Sequence, residues 1–246
     1  MSVLLLRIRK FWSILLHKRC WRGLWHGVAA SMEHRQVLQH LASVHCRTVV
    51  DIGANRGQFA LAVHTFLPDA TVLAFEPLGG PASKFRRVFE SVKQVRLQQF
   101  AIGASACVAD IHVSHSDDSS SLLPIGDLQQ KHFPGTAEAG VEKVNMKCLS
   151  DVVRGTDILG TALLKIDVQG YEMEVLRGSV NLLPHFAYAY VECSFVELYQ
   201  GQPLADEVIA FLREHGLRLG GAHNLSYDSD GSALQGDFLF VRAQHR

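Results

Sequence analysis

Apolar residues along this chain fall into two alternating kinds of run. Short β-branched or aliphatic stretches read as buried strands at 48–52, 71–75, 95–102, 108–113, 141–146, 187–193 and a run opening at Ala162. Between them, apolar positions recur at three- and four-residue steps. One helix is predicted over 31–44, with Ser31 as a cap and Val37, Leu38, Leu41 and Val44 on one face. Another follows Gly57, with Phe59, Ala60, Val63, Phe66 and Leu67 apolar. Further helices run to about residue 90 (Phe85, Val88 and Phe89 inward), begin at Leu149 and at Glu172, and span 204–215 before Gly216. The short apolar runs 217–219 and 237–241 close the pattern as a hairpin, with His223 in a polar loop between them that reaches toward the site. Strand and helix alternating in this way predict a doubly wound α/β fold.

Two stretches depart from the alternation. Residues 3–28 mix Leu4, Leu5, Ile8, Phe11, Leu15, Leu16 and all three tryptophans (Trp12, Trp21, Trp25) with Arg7, Arg9, Lys10, Lys18, Arg19 and Arg22. The run is too broken by charge for a spanning helix or a signal peptide. Two readings stay open: a helix lying on an anionic membrane surface, or an amphipathic helix packed on the domain or on a second copy of the chain. Residues 115–140 are polar and serine-rich with little periodicity, which marks a lid over the substrate. The expected organisation is an N-terminal extension, 1–28, followed by one catalytic domain, 29–246.

Composition narrows the class. With 246 residues and 48% hydrophobic content, the chain can bury a full core. Formal net charge is zero, so nothing draws the whole molecule to nucleic acid. The six basic residues of the first 28 face no acid there, and the rest of the chain is net acidic by six. Five scattered cysteines suggest neither a disulfide framework nor a zinc site and fit a reducing, cytoplasmic compartment.

Candidate chemistry sits where strands end. The stretch Val49-Val-Asp51-Ile-Gly53-Ala-Asn55-Arg-Gly57 is a strand, a tight turn and a helix start. Gly53 takes a backbone angle closed to other residues, and Gly57 lets a ligand or the strand approach closely. The Gly-x-x-x-Gly spacing is not that of a dinucleotide loop, and no Gly-Lys-Ser/Thr follows for a triphosphate. Asp51 would repel a pyrophosphate but suits a cationic amino-acid group. Glu76, followed by Pro77, ends the next strand where a carboxylate grips ribose hydroxyls. A cationic ligand with a ribose and no phosphate is S-adenosylmethionine. The end of the third strand, Ala101-Ile102-Gly103, would border the adenine. In the run from Ala162, Lys165 and Asp167 share one face of a strand that leads into Gly170 and Glu172. Asp167 either closes the strand end as an ion pair with Lys165 or stands beside the reacting centre. Glu192 is a further carboxylate at a strand end.

These stretches resemble the FkbM family of S-adenosylmethionine-dependent methyltransferases, over roughly residues 49–241. The resemblance rests on the Asp51–Gly57 turn, Ala-Phe-Glu76-Pro77, Lys165-Ile-Asp167-Val-Gln-Gly170-Tyr-Glu172 and Val-Glu192-Cys-Ser-Phe. Gln169 is a departure, since the family usually has glutamate there. The resemblance implies a Rossmann-like class I methyltransferase with a seven-stranded, mostly parallel sheet and a C-terminal antiparallel hairpin. It also implies O-methylation of a sugar or polyketide hydroxyl, with a cell-surface glycan indicated by Ser119–Pro124 and the Tyr199-Gln-Gly-Gln-Pro203 stretch.

The mechanism expected on these grounds aligns an acceptor hydroxyl with an activated methyl and removes its proton. Glu192 is the first choice of base and Asp167 the second, with Lys165 holding Asp167; a divalent metal between the two acids is the alternative to a base, although no metal ligand is assigned. The cofactor set is Asp51, Gly53, Asn55, Gly57, Glu76, Pro77, Ala101 and Asp167. Two other functions compete: an NAD-dependent sugar oxidoreductase or epimerase, and a membrane-surface module that binds the cofactor without turnover. A homo-oligomer is compatible with all three.

Overall fold

A computed structural model of the protein describes residues 17–243. In chain order the helices and strands are α1 (Lys18–Trp25), α2 (Arg35–Ser43), β1 (Cys46–Ile52), α3 (Gln58–Phe66), β2 (Thr71–Phe75), α4 (Gly79–Phe89), β3 (Val95–Gln98), β4 (Ala101–Ile102), β5 (Cys107–Ser114), α5 (Asp127–His132), β6 (Glu138–Lys147), α6 (Leu149–Val152), β7 (Thr161–Ile166), α7 (Glu172–Arg177), β8 (Tyr188–Ser194), α8 (Ala205–Glu214), β9 (Leu217–Tyr227) and β10 (Ala233–Arg242).

Seven strands form the main sheet, in the order β3-β2-β1-β7-β8-β10-β9. The first five run parallel, whereas β10 is antiparallel to both its neighbours. This is the Rossmann-like methyltransferase arrangement with its closing hairpin. The strand order reverses direction between β1 and β7, so the carboxyl ends of these two strands flank the crevice where open α/β sheets take ligands.

The central strands are apolar on both faces, as a sheet covered by helices requires. Val49, Leu163, Tyr188 and Tyr190 face the layer of α2, α3 and α4, where Leu38, Leu41, Phe59, Leu61 and Phe85 pack against them. Val50, Ile52, Leu164, Ile166, Ala189 and Val191 face the opposite layer, filled by Leu149, Val175, Leu176, Val208 and Leu212.

Four sequence expectations change. The third strand is split: β3 ends at Gln98, and Ala101–Ile102 joins a second sheet of order β4-β6-β5, built on the β5–β6 hairpin. The segment 115–140 holds the single-turn 3₁₀ helix Asp117–Ser119, a bridge between His112 and Ser121, and α5. His223 lies within β9, opposite Asp237, and not in a loop. A domain start at residue 29 is too late, because Cys20, Val28 and Ala30 belong to the same buried cluster as Leu38 and Leu61. In α1, Cys20 and Gly23 turn inward, with Cys20 Sγ 3.3 Å from Thr65 Oγ1, and Arg22 pairs with Glu90 at 3.0 Å. Residues 17–28 therefore pack on the domain, while most of the amphipathic stretch read from the sequence, residues 3–16, lies outside the described residues. Among the described residues no helix is long and apolar enough to cross a membrane.

Candidate active site

The loop after β1 is built by backbone geometry. Gly53 sits at φ +80°, and the amides of Gly53 and Ala54 both donate to the Phe75 carbonyl, at 3.0 and 2.9 Å. A Cβ on Gly53 would lie 1.8 Å from the Asp167 carbonyl oxygen, so this loop and the one after β7 touch through backbone alone. Gly57, at φ +92°, opens α3 for a different reason: a Cβ there would meet the rings of Phe89 and Phe85 at 2.6 and 2.8 Å. What approaches Gly57 is helix α4, neither a ligand nor a strand. Asn55 adopts φ +47°, a conformation that asparagine tolerates better than most residues.

These loops open on a cavity of about 560 Å³. One end is apolar, walled by Phe75, Phe100, Ala101, Ile102, Ile111 and Leu122. Glu76 stands beside it with Pro77. Its Oε2 accepts from the Asn55 amide at 2.9 Å and its Oε1 from the Leu78 amide at 2.8 Å. Burial lifts the Glu76 pKa to about 7, and these two backbone hydrogen bonds limit the rise. Each oxygen keeps a lone pair that a ligand hydroxyl can use.

The other end carries the charge. Lys165 Nζ lies 3.2 Å from Asp51 Oδ1, 3.4 Å from Asp167 Oδ2 and 3.2 Å from the Gly53 carbonyl, and 5.4 Å above the Phe59 ring. Burial pulls the Lys165 pKa down, but the charges of Asp51 and Asp167 more than offset this and raise it. Asp51 is fully buried and faces Lys165, away from the cavity. The cationic group beside Asp51 is thus a side chain of the protein. Asp167 lines the cavity. Burial pushes its pKa up, yet Lys165 and the Gln169 amide outweigh that and leave it lowered.

Gln169 links the two candidate catalytic acids. Its Nε2 donates to Asp167 Oδ1 at 2.8 Å and to Glu192 Oε2 at 2.6 Å. The amide fills the position between the carboxylates that a bridging cation would take. Glu192 Oε1 accepts from Gln235 Nε2 at 3.1 Å. Burial first, then the charges of Asp167, Asp237 and Glu172, raise the Glu192 pKa well above the usual carboxylate range. Glu172 takes no part in the cavity. It accepts from the amides of Val168 and Gly170 at 3.2 and 3.0 Å and shapes the turn after β7.

Several lining groups carried little or no sequence signal of their own. His34, Asn224 and Asp237 complete the wall beyond Glu192. Asn224 Nδ2 donates to Asp237 Oδ2 at 2.7 Å, and His34 Nδ1 lies 3.1 Å from the Tyr190 hydroxyl. Asp237 was visible only as a charge inside an apolar strand, the same signal that marks Lys165.

Of the residues read as cofactor ligands, Gly53, Asn55, Glu76, Pro77, Ala101 and Asp167 line this one cavity, whereas Asp51 and Gly57 do not reach it. Lys165 and Glu192 line it as well. Comparison with known proteins names the family. The methyltransferase FkbM domain matches residues 51–219. The chain belongs to the FkbM methyltransferase family. Among similar FkbM relatives, the 2-O-methyltransferase NoeI of Sinorhizobium fredii is 27% identical over 69% of this chain and 72% of its own. The 31-O-demethyl-FK506 methyltransferase FkbM of Streptomyces tacrolimicus is 29% identical over 68% and 71%. A solved structure, precorrin-6y C5,15-methyltransferase from Geobacter metallireducens, aligns with a TM-score of 0.48 at 10% identity, over 88% of this chain and 93% of that one.

As an FkbM methyltransferase the protein uses S-adenosylmethionine. The cavity suits that molecule. The apolar end would take the adenine, the two free lone pairs of Glu76 the ribose hydroxyls, and the acidic end the cationic methionine portion. The Gly53 position, which has no space for a Cβ, keeps the floor of the cavity at backbone height.

Proposed function

We propose that this FkbM-family enzyme methylates a hydroxyl oxygen of a sugar or glycan. The observation that carries the reading is the Asp167–Gln169–Glu192 arrangement at the cavity end remote from Phe75 and Phe100, two acids held together by one amide. When bound, S-adenosylmethionine supplies a methyl group already activated by its sulfonium charge. The protein must then hold a hydroxyl in line and take its proton. Asp167, kept ionised by Lys165, orients the hydroxyl by accepting a hydrogen bond. Glu192, with its raised proton affinity, receives the hydroxyl proton as the oxygen–carbon bond forms.

A neutral polyhydroxylated acceptor suits the remaining wall. Asn224, Asp237, Asp118, Glu33 and His34 present acceptors and amides. The two basic residues in the lining, Arg56 and Lys165, are both already paired with acids. An anionic acceptor would meet no free cation among these residues. The names of the two relatives, both O-methyltransferases, support transfer to an oxygen.

The test is methyl transfer from methyl-labelled S-adenosylmethionine to a panel of oligosaccharides, polyketides and phenols. Labelling confined to the sugars, lost in Glu192→Gln while S-adenosylhomocysteine still binds, supports the reading. Labelling of the other classes alone overturns it.

A further inference from the structure

Gln169 is placed unlike any other residue of the site. Its backbone is in the left-handed region at φ +56°, in the turn between β7 and α7. Both hydrogens of its Nε2 are committed, one to each carboxylate. Its Oε1 accepts from the Tyr199 hydroxyl at 2.7 Å, and the two carboxylates, which only accept when ionised, require Nε2 on their side. Its carbonyl accepts from Ser121 Oγ at 2.6 Å, so the turn is also anchored to the segment above the cavity.

We propose that Gln169 is a positioning residue for methyl transfer, whose amide, aimed by Tyr199, locks Asp167 and Glu192 into one fixed and unequal pair. The inference rests on the reading of Glu192 as the base but deepens it by naming what holds that base in place. Two carboxylates this close repel when both are ionised. An amide offering one N–H to each relieves the repulsion without adding charge. A carboxylate in its place would add a third acid and lose both donors.

The groups facing Glu192 decide how unequal the pair is. Asp167 and Lys165 approach from the β7 side, Asp237 from β10 and Glu172 from α7, while Tyr199 and Cys193 are the neighbours on its own side. Lys165 holds Asp167 ionised, so the shared amide meets one firmly charged partner and one that titrates. The proton passed from the acceptor hydroxyl therefore goes to Glu192.

The test needs no acceptor. Carboxyl carbons of glutamate-labelled protein are titrated by carbon-13 NMR in the wild type, Gln169→Glu, Gln169→Met and Tyr199→Phe. Calorimetry with S-adenosylhomocysteine runs beside it. The expected result is a Glu192 titration that moves up by roughly one pH unit or more in Gln169→Glu, because a third carboxylate joins the cluster. Gln169→Met moves it in the same direction through loss of the donor, and Tyr199→Phe by less. Cofactor affinity stays within about twofold in each. Where a sugar acceptor is labelled, kcat falls on the order of 10- to 100-fold in Gln169→Met with little change in cofactor KM.

An unmoved Glu192 titration in both Gln169 variants overturns the proposal. So does loss of cofactor binding, which would make Gln169 a structural support of the cavity. If Gln169→Met fails to fold, Gln169→Glu and Tyr199→Phe decide alone. Failure of sugar labelling with the titration shifts intact would instead fault the acceptor class and leave the pairing standing.

Discussion

Lys165 and Asp51 face each other on neighbouring strands, 3.2 Å apart, with side chains 6% and 0% exposed. Neither Asp51 oxygen has another donor. The lysine is therefore the counter-charge of a carboxylate with no access to water. Lys165→Met should destabilise the protein by about 3–5 kcal/mol, since it strands a buried charge. Adding Asp51→Asn should restore much of that. Urea denaturation of both single variants and the double variant measures the coupling.

Glu76 ties cofactor affinity to pH. Its pKa of about 7 means that it gains a proton as pH falls through neutrality. In the proposed ribose role a hydroxyl donates to the ionised form, so binding would favour the carboxylate and affinity for S-adenosylhomocysteine should weaken as pH falls through about 7. It should level off about one pH unit higher, where the carboxylate is almost fully ionised. Glu76→Gln should bind more weakly by roughly 1–3 kcal/mol at pH 8 and lose the dependence. Calorimetry at pH 6, 7 and 8 checks both. A wild-type affinity that does not change with pH would remove the ribose role.

Gly53→Ala is expected to be far more damaging than a single methyl suggests. It combines a positive φ with a contact of 1.8 Å to the Asp167 carbonyl oxygen. Relief requires the loop after β7 to move, which takes Asp167 and Gln169 with it. The expected outcome is loss of detectable cofactor binding, with stability down by at least about 1–3 kcal/mol. Gly80→Ala, where a Cβ meets open space, is the control.

Several contacts tie down the segment above the cavity. The Arg56 guanidinium grips both oxygens of Asp117, Asn55 Nδ2 donates to the Asp117 carbonyl at 3.0 Å, and Ser121 holds Gln169. Asp117→Asn weakens the first tie at a partly exposed pair, so the change in stability should stay within about 1 kcal/mol. Cofactor dissociation should nevertheless accelerate several-fold, as read by stopped-flow displacement. An unchanged dissociation rate would show that ligand exchange does not pass this segment.

Removing residues 1–28 should cost the protein more stability than removing 1–16, because the longer truncation also takes away Cys20 and Val28. Val28 and Cys20 are fully buried, and burial of a valine-sized side chain is worth about 1.5–3 kcal/mol. Thermal melts of the two truncations separate the cases. Liposome pelleting of the shorter truncation against the full chain then tests the membrane reading of the basic stretch. Equal pelleting would end it.

Most of the main sheet was legible because its strands are either apolar on both faces or cleanly bounded by glycine. The run 95–102 misled for a physical reason: hydrophobicity reports burial but not which sheet does the burying. Gln98 is the last partner of Phe75, while Ala101 already pairs with Met146. Residues 115–140 looked irregular because their order comes from single contacts made with Arg56, Gln169 and Tyr199, all distant in sequence. At the site, the glycine turns announced Gly53 and Asn55. Nothing local announced Asn224 or His34, which reach the cavity only through strand pairing and helix packing. Asp51 and Gly57 also sit in the motif but outside the cavity lining, where Asp51 pairs with Lys165 and Gly57 packs against Phe85 and Phe89.

The same buried charges have a consequence for how the chain finds its fold. Asp51, Lys165 and Tyr190 stand side by side in one row across β1, β7 and β8. Slippage of β7 by a single residue would turn Lys165 into the layer of Leu176 and Leu212, with no carboxylate to meet it. A misaligned sheet would thus carry a buried lysine without a counter-charge, so the row favours one strand alignment over its neighbours.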